Sequence, residues 1–439
     1  MVLLVDDFVE LVFPDGFLWG CAVAAHQVEG NNMNNNWWKW EQEGHTLDLS
    51  GVACDHYNRY KEDFGIARKL NLNSFRTSIE WSRVEPREGV WSSKEVEHYR
   101  RVLQEMRRRG LTPIITLHHF TDPLWFAEKG GWEKPESVDI FDCFVRKIVE
   151  ELGDLIPFYT TINEPMVYVV LGYVFGVFPP GERDLLKAFS VARNLLLAHA
   201  RAYRTIHEVC REMGYPKPMV GFAHNMMMFE PLDPKDERHV NEANTSDAIY
   251  NRWFLESIHT GVVQPPVGQE EAEGLKGAWD FIGLNYYTRS ICIPSPDPSR
   301  RFAVVPMDAE LTDMHYEVYP EGLYKLLVSL KKYGKPVYIT ENGIATSSDR
   351  QRCRFIIRHL AEAHRALRER VDLRGYMYWS LIDNFEWNEG FSKRFGLVEV
   401  NYKNLKRTPR ESAYMYAEIA KRNAVTAELA QKYLGRSKA

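Results

Sequence analysis

The stretch VYITENG (337–343) is an apolar, β-branched run that stops at a carboxylate, Glu341, followed by an Asn-Gly pair of the kind that favours a turn. A strand of this composition reads as buried. A charge at the end of a buried strand is costly unless something nearby pairs or uses it. Seven other runs share the form. They are FLWGCAVAAHQ from Phe17, NSFRTSIEW from Asn73, TPIITLHHF from Thr112, FYTTINEP from Phe158, MVGFAHNMMMF from Met219, WDFIGLNYY from Trp279 and GYMYWSLIDNFEW from Gly375. Continuous apolar runs, rather than alternation, mark strands covered on both faces.

Helix-length amphipathic segments lie between the runs. SKEVEHYRRVLQEMRRRG has Ser92 and Ser93 as N-cap candidates and Gly110 as a stop; DRQRCRFIIRHLAEAHRALRER is another. The segment from Pro409 through ESAYMYAEIAKRN reads as the closing helix. Eight strands alternating with helices predict a parallel sheet, and eight is the number that closes a barrel. No low-complexity linker interrupts the pattern, so the 439 residues read as one α/β domain, 1–439, a single (β/α)8 TIM barrel.

The bulk composition narrows the function. A formal net charge of -5 carries no nucleic-acid footprint, and the basic clusters Arg107-Arg108-Arg109 and Arg300-Arg301 read as solvated faces. Six cysteines, Cys21, Cys54, Cys143, Cys210, Cys292 and Cys353, are scattered without a CxxC pair, which argues against a disulfide framework and against structural zinc. The start, MVLLVDDFVELVF, lacks a basic region and carries acids within its apolar stretch. No apolar run approaches the ~18 residues of a membrane span. A cytoplasmic protein is the expectation, with room for a homo-oligomer.

In such a barrel the C-terminal ends of the strands carry function. Gln27, Arg76, His119, Asn163, Glu164, Tyr287, Glu341, Trp379 and Glu386 all fall at those ends. Glu164 ends strand four and Glu341 strand seven, across the mouth from each other. Two facing carboxylates roughly 5 Å apart are what retaining glycoside hydrolysis requires. One stays ionised and attacks the anomeric carbon; the other keeps a proton for the leaving oxygen, its pKa raised by burial and by its partner. Arg76 and Tyr287 would favour an ionised Glu341, which makes Glu341 the nucleophile and Glu164 the acid. Taken alone, TINEP or ITENG is only a Glu beside a turn; the shared register of the polar strand ends is what joins them. His118 and His119 are strand neighbours and point to opposite faces, so one faces the barrel and the other packs, without a metal.

The motifs FLWG…HQVEG, DHYNRYKED, FRTSIEWSR, TINEP, LNYYT, ITENG and WSLIDNFEW resemble, in order, those of glycoside hydrolase family 1, the β-glucosidase and β-galactosidase family. The resemblance implies a (β/α)8 barrel and retention of configuration without metal or cofactor. It puts Glu164 on the acid/base and Glu341 on the nucleophile. Arg76 and Tyr287 fall on the groups that hold the nucleophile. Gln27, His119, Asn163, Glu386, Trp387 and Phe395 match substrate-binding positions, and Trp379 the stacking platform. An indole suits the C–H face of a sugar, while Gln27, His119 and Glu386 offer donors and acceptors to its hydroxyls; an ionised Glu386 would accept two at once. Departures fall at Phe120 and Met166, where many members carry tryptophan; they soften the leaving-group wall and imply leniency toward aryl or alkyl aglycones. The implied partners are small β-glycosides or short oligosaccharides, glucosyl first, then galactosyl and fucosyl, with transfer to alcohols as a side reaction. The alternatives are a 6-phospho-β-glycosidase, for which Lys393 and Arg394 would have to hold phosphate, and a sugar-binding barrel without turnover.

Overall fold

The computed structural model describes residues 9–295 and 305–435. The first part of the N-terminal stretch, and Arg300-Arg301, lie outside the described residues. Eight parallel strands close a barrel in chain order: β1 (Leu18–Ala22), β2 (Ser74–Ser78), β3 (Thr112–His118), β4 (Phe158–Asn163), β5 (Met219–Pro231), β6 (Ile282–Cys292), β7 (Val337–Asn342) and β8 (Leu373–Trp379). β8 pairs back onto β1, with Leu18 opposite Gly375 and Ala22 opposite Trp379. Every residue of β2 and of β7 is buried, which is why these runs lack alternation. The expected (β/α)8 barrel is the observed one.

The main apolar core lies between strands and helices, and a smaller cluster joins Ala22, Ile114, Met377, Trp379 and Phe395. Local chemistry sets the helix ends. The Ser92 hydroxyl accepts from the Glu95 N–H and starts the helix Ser93–Arg108; Ser348 does the same through Gln351 for Asp349–Arg368. Among the described residues no helix is long and apolar enough to cross a membrane.

Three features differ from the reading of the sequence. The helix Glu411–Arg422 does not close the chain. Asn423 ends it at φ +53, and its side chain ties Phe13 and Trp19: Nδ2 donates to the Phe13 carbonyl at 2.7 Å and Oδ1 accepts from the Trp19 indole at 2.8 Å. Ala424–Val425 then pairs with Leu11–Val12, and a further helix, Ala427–Leu434, follows. Second, β5 and β6 run past the barrel as a two-stranded ribbon, paired from Met228–Arg289 to Pro231–Cys292 after a register shift.

Third, the Asn-Gly pair after Glu341 is a packing device rather than a turn. The Asn342 amide donates to the Tyr286 carbonyl at 2.6 Å and its oxygen accepts from the Tyr376 hydroxyl at 2.7 Å. A Cβ on Gly343 would lie 1.8 Å from the Trp379 carbonyl oxygen, so glycine lets the ends of β7 and β8 approach. Gly343→Ala is expected to destabilise the protein by roughly 3 kcal/mol or more, because the clash is with backbone that cannot move aside. Chemical denaturation with an unchanged midpoint would refute this.

Candidate active site

At the barrel mouth lies a cavity of about 470 Å³ lined by Gln27, His119, Asn163, Glu164, Tyr287, Glu341, Trp379, Glu386, Trp387 and Phe395, among others. Ten of the eleven side chains singled out in the sequence therefore meet in one space. Arg76 lies beneath it, in the middle of β2 rather than at its end, fully buried. Gln27 sits on a one-turn helix, Ala25–Val28, just after β1. Tyr287 lies midway along β6, and Glu386 and Trp387 on the loop after β8. The convergence comes from strand ends, from the middle of β6 and from the loops beyond the strands.

Glu341, 3% exposed, is held at both oxygens. The Arg76 guanidinium donates to Oε1 and the Tyr287 hydroxyl to Oε2 at 2.6 Å. One of these bonds comes from a cation and the other from a phenol, and together they fix the carboxyl's orientation. The other Arg76 nitrogen, Nη2, donates to Asn163 Oδ1 at 2.6 Å. That bond orients the Asn163 amide, whose Nδ2 lies 3.2 Å from His119 Nε2. His119 must accept there, so its ring proton is on Nδ1. Burial, with Arg76 as the next cause, keeps this imidazole neutral by pushing its pKa well down. His118 faces away, bonded to Asp122 at 2.9 Å and edge-on to Trp132, so the pair splits as the strand rule requires.

Glu164 adopts φ +46, a left-handed conformation that costs a non-glycine residue about 1–2 kcal/mol. Its N–H donates to the Ala223 carbonyl at 2.7 Å, and Pro165 opens the next helix. Oε1 accepts from Asn285 Nδ2 at 2.7 Å and from Asn225 Nδ2 at 3.1 Å. Those amides are themselves fixed: the Thr340 hydroxyl donates to Asn285 Oδ1 at 2.6 Å and the Tyr250 hydroxyl to Asn225 Oδ1 at 2.9 Å. With Oε1 so occupied, a proton on this acid belongs on Oε2. Burial first, then the charge of Glu341, raises its pKa to about 8 against the lowering effect of the two amides. The sequence reading missed Asn225, Asn285, Thr340 and Tyr250. The first three showed only as polar residues within apolar runs, and Tyr250 lies outside those runs.

Glu386 is raised to about 8 as well, by burial and then by Glu341 and Glu164. Glu164 and Glu386, both raised in one cavity, titrate together and not as independent acids. Gln27 Nε2 donates to the Phe385 carbonyl at 2.8 Å and lies 3.4 Å from Glu386 Oε2. Gln27 Oε1 and His119 Nδ1 are buried and have no protein partner among the described residues, an acceptor and a donor that a ligand hydroxyl would satisfy. Trp379 and Trp387 lie near-parallel to the His119 ring, at 6.1 and 6.2 Å. Trp387 also stacks on His26, which Glu41 holds at 2.8 Å. Phe120 meets Trp387 edge-on at 5.3 Å. Met166 is buried and does not line the cavity; Val167, the next residue, does. Lys393 and Arg394 are not lining residues either: Lys393 lies 3.4 Å from Glu389, and Arg394 bonds Asp383 at 3.2 Å.

The glycosyl hydrolase family 1 model matches residues 9–425. The chain is 35% identical to β-glucosidase A of Thermotoga maritima, over 94% of this chain and 98% of that one. It is 32% identical to a β-galactosidase of Pyrococcus woesei, over 96% and 100%. The solved structure of a β-glycosidase from Pyrococcus horikoshii superposes with a TM-score of 0.90 at 41% identity, covering 98% of this chain and 99% of that one.

Proposed function

This chain belongs to glycosyl hydrolase family 1 and is a retaining β-glycosidase, and from that premise we propose how its own side chains divide the work. Glu341, with its two oxygens oriented by Arg76 and Tyr287, attacks the anomeric carbon and forms a glycosyl ester. Glu164 gives its Oε2 proton to the departing oxygen, then takes a proton from the water that cleaves the ester. The observation that carries this division is the opposite treatment of two acids in one cavity: a cation and a phenol on Glu341, burial and only neutral amides on Glu164.

Sugar recognition falls to Gln27, His119, Asn163, Glu386, Trp387 and Phe395, with the Trp379 indole under the C–H face. An alcohol that replaces water in the second step would give transfer. A phosphate at the sugar's outer carbon would meet Glu386 and neither Lys393 nor Arg394, which counts against a phosphoglycosidase. Two acids poised for different protonation states count against a barrel that only binds.

A panel of 4-nitrophenyl β-glycosides tests the reading. The glucoside is expected to turn over fastest. The galactoside and fucoside should follow within roughly 200-fold, since one misplaced or missing hydroxyl costs about 1–3 kcal/mol. The 6-phosphoglucoside should be inert. Preference for the phosphorylated sugar, or no turnover of any, would reject the assignment.

A further inference from the structure

Trp387 lines the cavity beside Glu386 and holds its backbone at φ +49, in the left-handed region that side chains rarely adopt. Such a conformation persists only where the surroundings dictate it. Besides His119, four rings pack against the indole: Trp37 at 4.5 Å, Phe120 at 5.3 Å, His26 at 5.9 Å and Phe178 at 6.4 Å. His26 differs from the other three, because hydrogen bonds at both of its ring nitrogens fix its plane.

His26 is buried and does not line the cavity. Its Nδ1 lies 3.1 Å from the Asn35 amide nitrogen and 3.3 Å from that of Asn32. Both amides are oriented from elsewhere. Asn35 Oδ1 accepts from the Trp38 N–H at 2.8 Å, and Asn32 Oδ1 from the Ser82 hydroxyl at 3.2 Å. Amide nitrogens only donate, so Nδ1 accepts and Nε2 carries the proton that goes to Glu41 Oε1 at 2.8 Å. Glu41 Oε2 accepts from the Ser50 N–H at 2.7 Å and its hydroxyl at 2.8 Å. The imidazole cannot swivel without breaking bonds in a buried network, where each break is costly. Its plane lies within 7° of the Trp387 indole, which makes it a fixed plate for that ring.

Glu41 and Trp37 lie on the helix Asn36–Gln42, and Asn35 caps it. One helix therefore fixes the plate and supplies a second ring against the indole. A chain of contacts runs from the nucleophile to this place: Glu341 to Arg76, Asn163, His119 and then Trp387. Asn163 is nearest the reacting carbon, so Trp387 and Glu386 face the sugar hydroxyls farthest from it. We propose that His26 is a positioning residue for sugar choice: by fixing the Trp387 indole it sets how strictly the site reads C4 and C6. This rests on the reading that the cavity holds the sugar with C1 at Glu341.

The experiment compares kcat/KM for the 4-nitrophenyl β-D-glucoside, galactoside, xyloside and 2-deoxyglucoside. Against the glucoside these differ at C4, at C6 and, as the control, at C2. His26→Phe keeps a ring and loses the three hydrogen bonds. The glucoside-to-galactoside and glucoside-to-xyloside ratios should each fall at least about threefold, with the 2-deoxyglucoside ratio within about twofold of wild type. Glu41→Gln keeps the shape of the pair, but its one amide oxygen cannot accept from both His26 and the Ser50 N–H. It should move the same two ratios in the same direction, by at least about twofold, and it decides alone where His26→Phe does not fold. A histidine that only supports the fold would lower all four rates together and leave every ratio in place. Ratios unchanged in either folded variant, an equal loss on all four substrates, or a 2-deoxyglucoside ratio that moves as far would overturn the inference. A wild type that cleaves none of the four would instead overturn the reading of the cavity itself.

Discussion

Glu341→Gly is expected to lose hydrolysis of 4-nitrophenyl β-glucoside by at least about 10⁴-fold, or ~5.4 kcal/mol of transition-state stabilisation. Without the carboxylate no glycosyl ester forms, and the water-activating role of Glu164 has nothing to act on. The same variant should still use α-glucosyl fluoride. That sugar has the configuration of the missing ester, and its axial fluorine fits where the Glu341 side chain stood. An acceptor alcohol, deprotonated by Glu164, displaces fluoride from the opposite face and yields a β-glucoside. Transfer also controls for folding. Arg76 keeps two acceptors in the variant, Asn163 Oδ1 and the Thr340 carbonyl at 3.3 Å, so its buried charge is not stranded. Hydrolysis near the wild-type rate would remove Glu341 from the nucleophile's role.

Replacing Glu164 by alanine is expected to act through the leaving group. For glucosides of poor leaving groups the loss should approach the upper end of general acid catalysis, about 10⁴-fold, while dinitrophenyl glucoside forms the ester almost normally. Azide is small enough for the space left by the side chain and should restore turnover, releasing β-glucosyl azide. The pH profile carries the sharper sign. Glu164 must be protonated for the first step, and burial with the Glu341 charge raises its pKa to about 8. In the wild type kcat/KM should therefore fall about tenfold per pH unit above about pH 8. In Glu164→Ala that limb should disappear for dinitrophenyl glucoside. Any limb left by Glu386 should move to lower pH, because Glu164, one of the three acids that raise it, has gone. A profile identical to the wild type would contradict the acid/base assignment.

The barrel was legible because its strands are covered on both faces and so read as unbroken apolar runs, and because Ser92 announces its helix with a side-chain cap. Glu164 and Glu341 stood out as charges at the ends of such runs. The depth of Arg76 was less visible. A guanidinium in the middle of a five-residue strand looks like one at its end until the facing carboxylate is known. Asn225 and Tyr250 come from separate elements, the ribbon strand β5 and a π-helical segment, and only tertiary pairing joins them to Glu164. The Asn342-Gly343 pair misled because its turn propensity is local. The cause of the glycine is the Trp379 carbonyl on a neighbouring strand. Met166 misled for another reason: the resemblance put it at the wall, while the helix that follows Glu164 buries it and presents Val167 instead.

The most direct test is to trap the ester with a 2-deoxy-2-fluoro-β-glucoside bearing a dinitrophenyl leaving group, whose fluorine slows release more than formation. Peptide mapping should find one fluoroglucosyl group per chain, on the side-chain oxygen of Glu341, with activity returning as an added acceptor removes it. A label on any other residue, or inactivation without a label, would contradict the account.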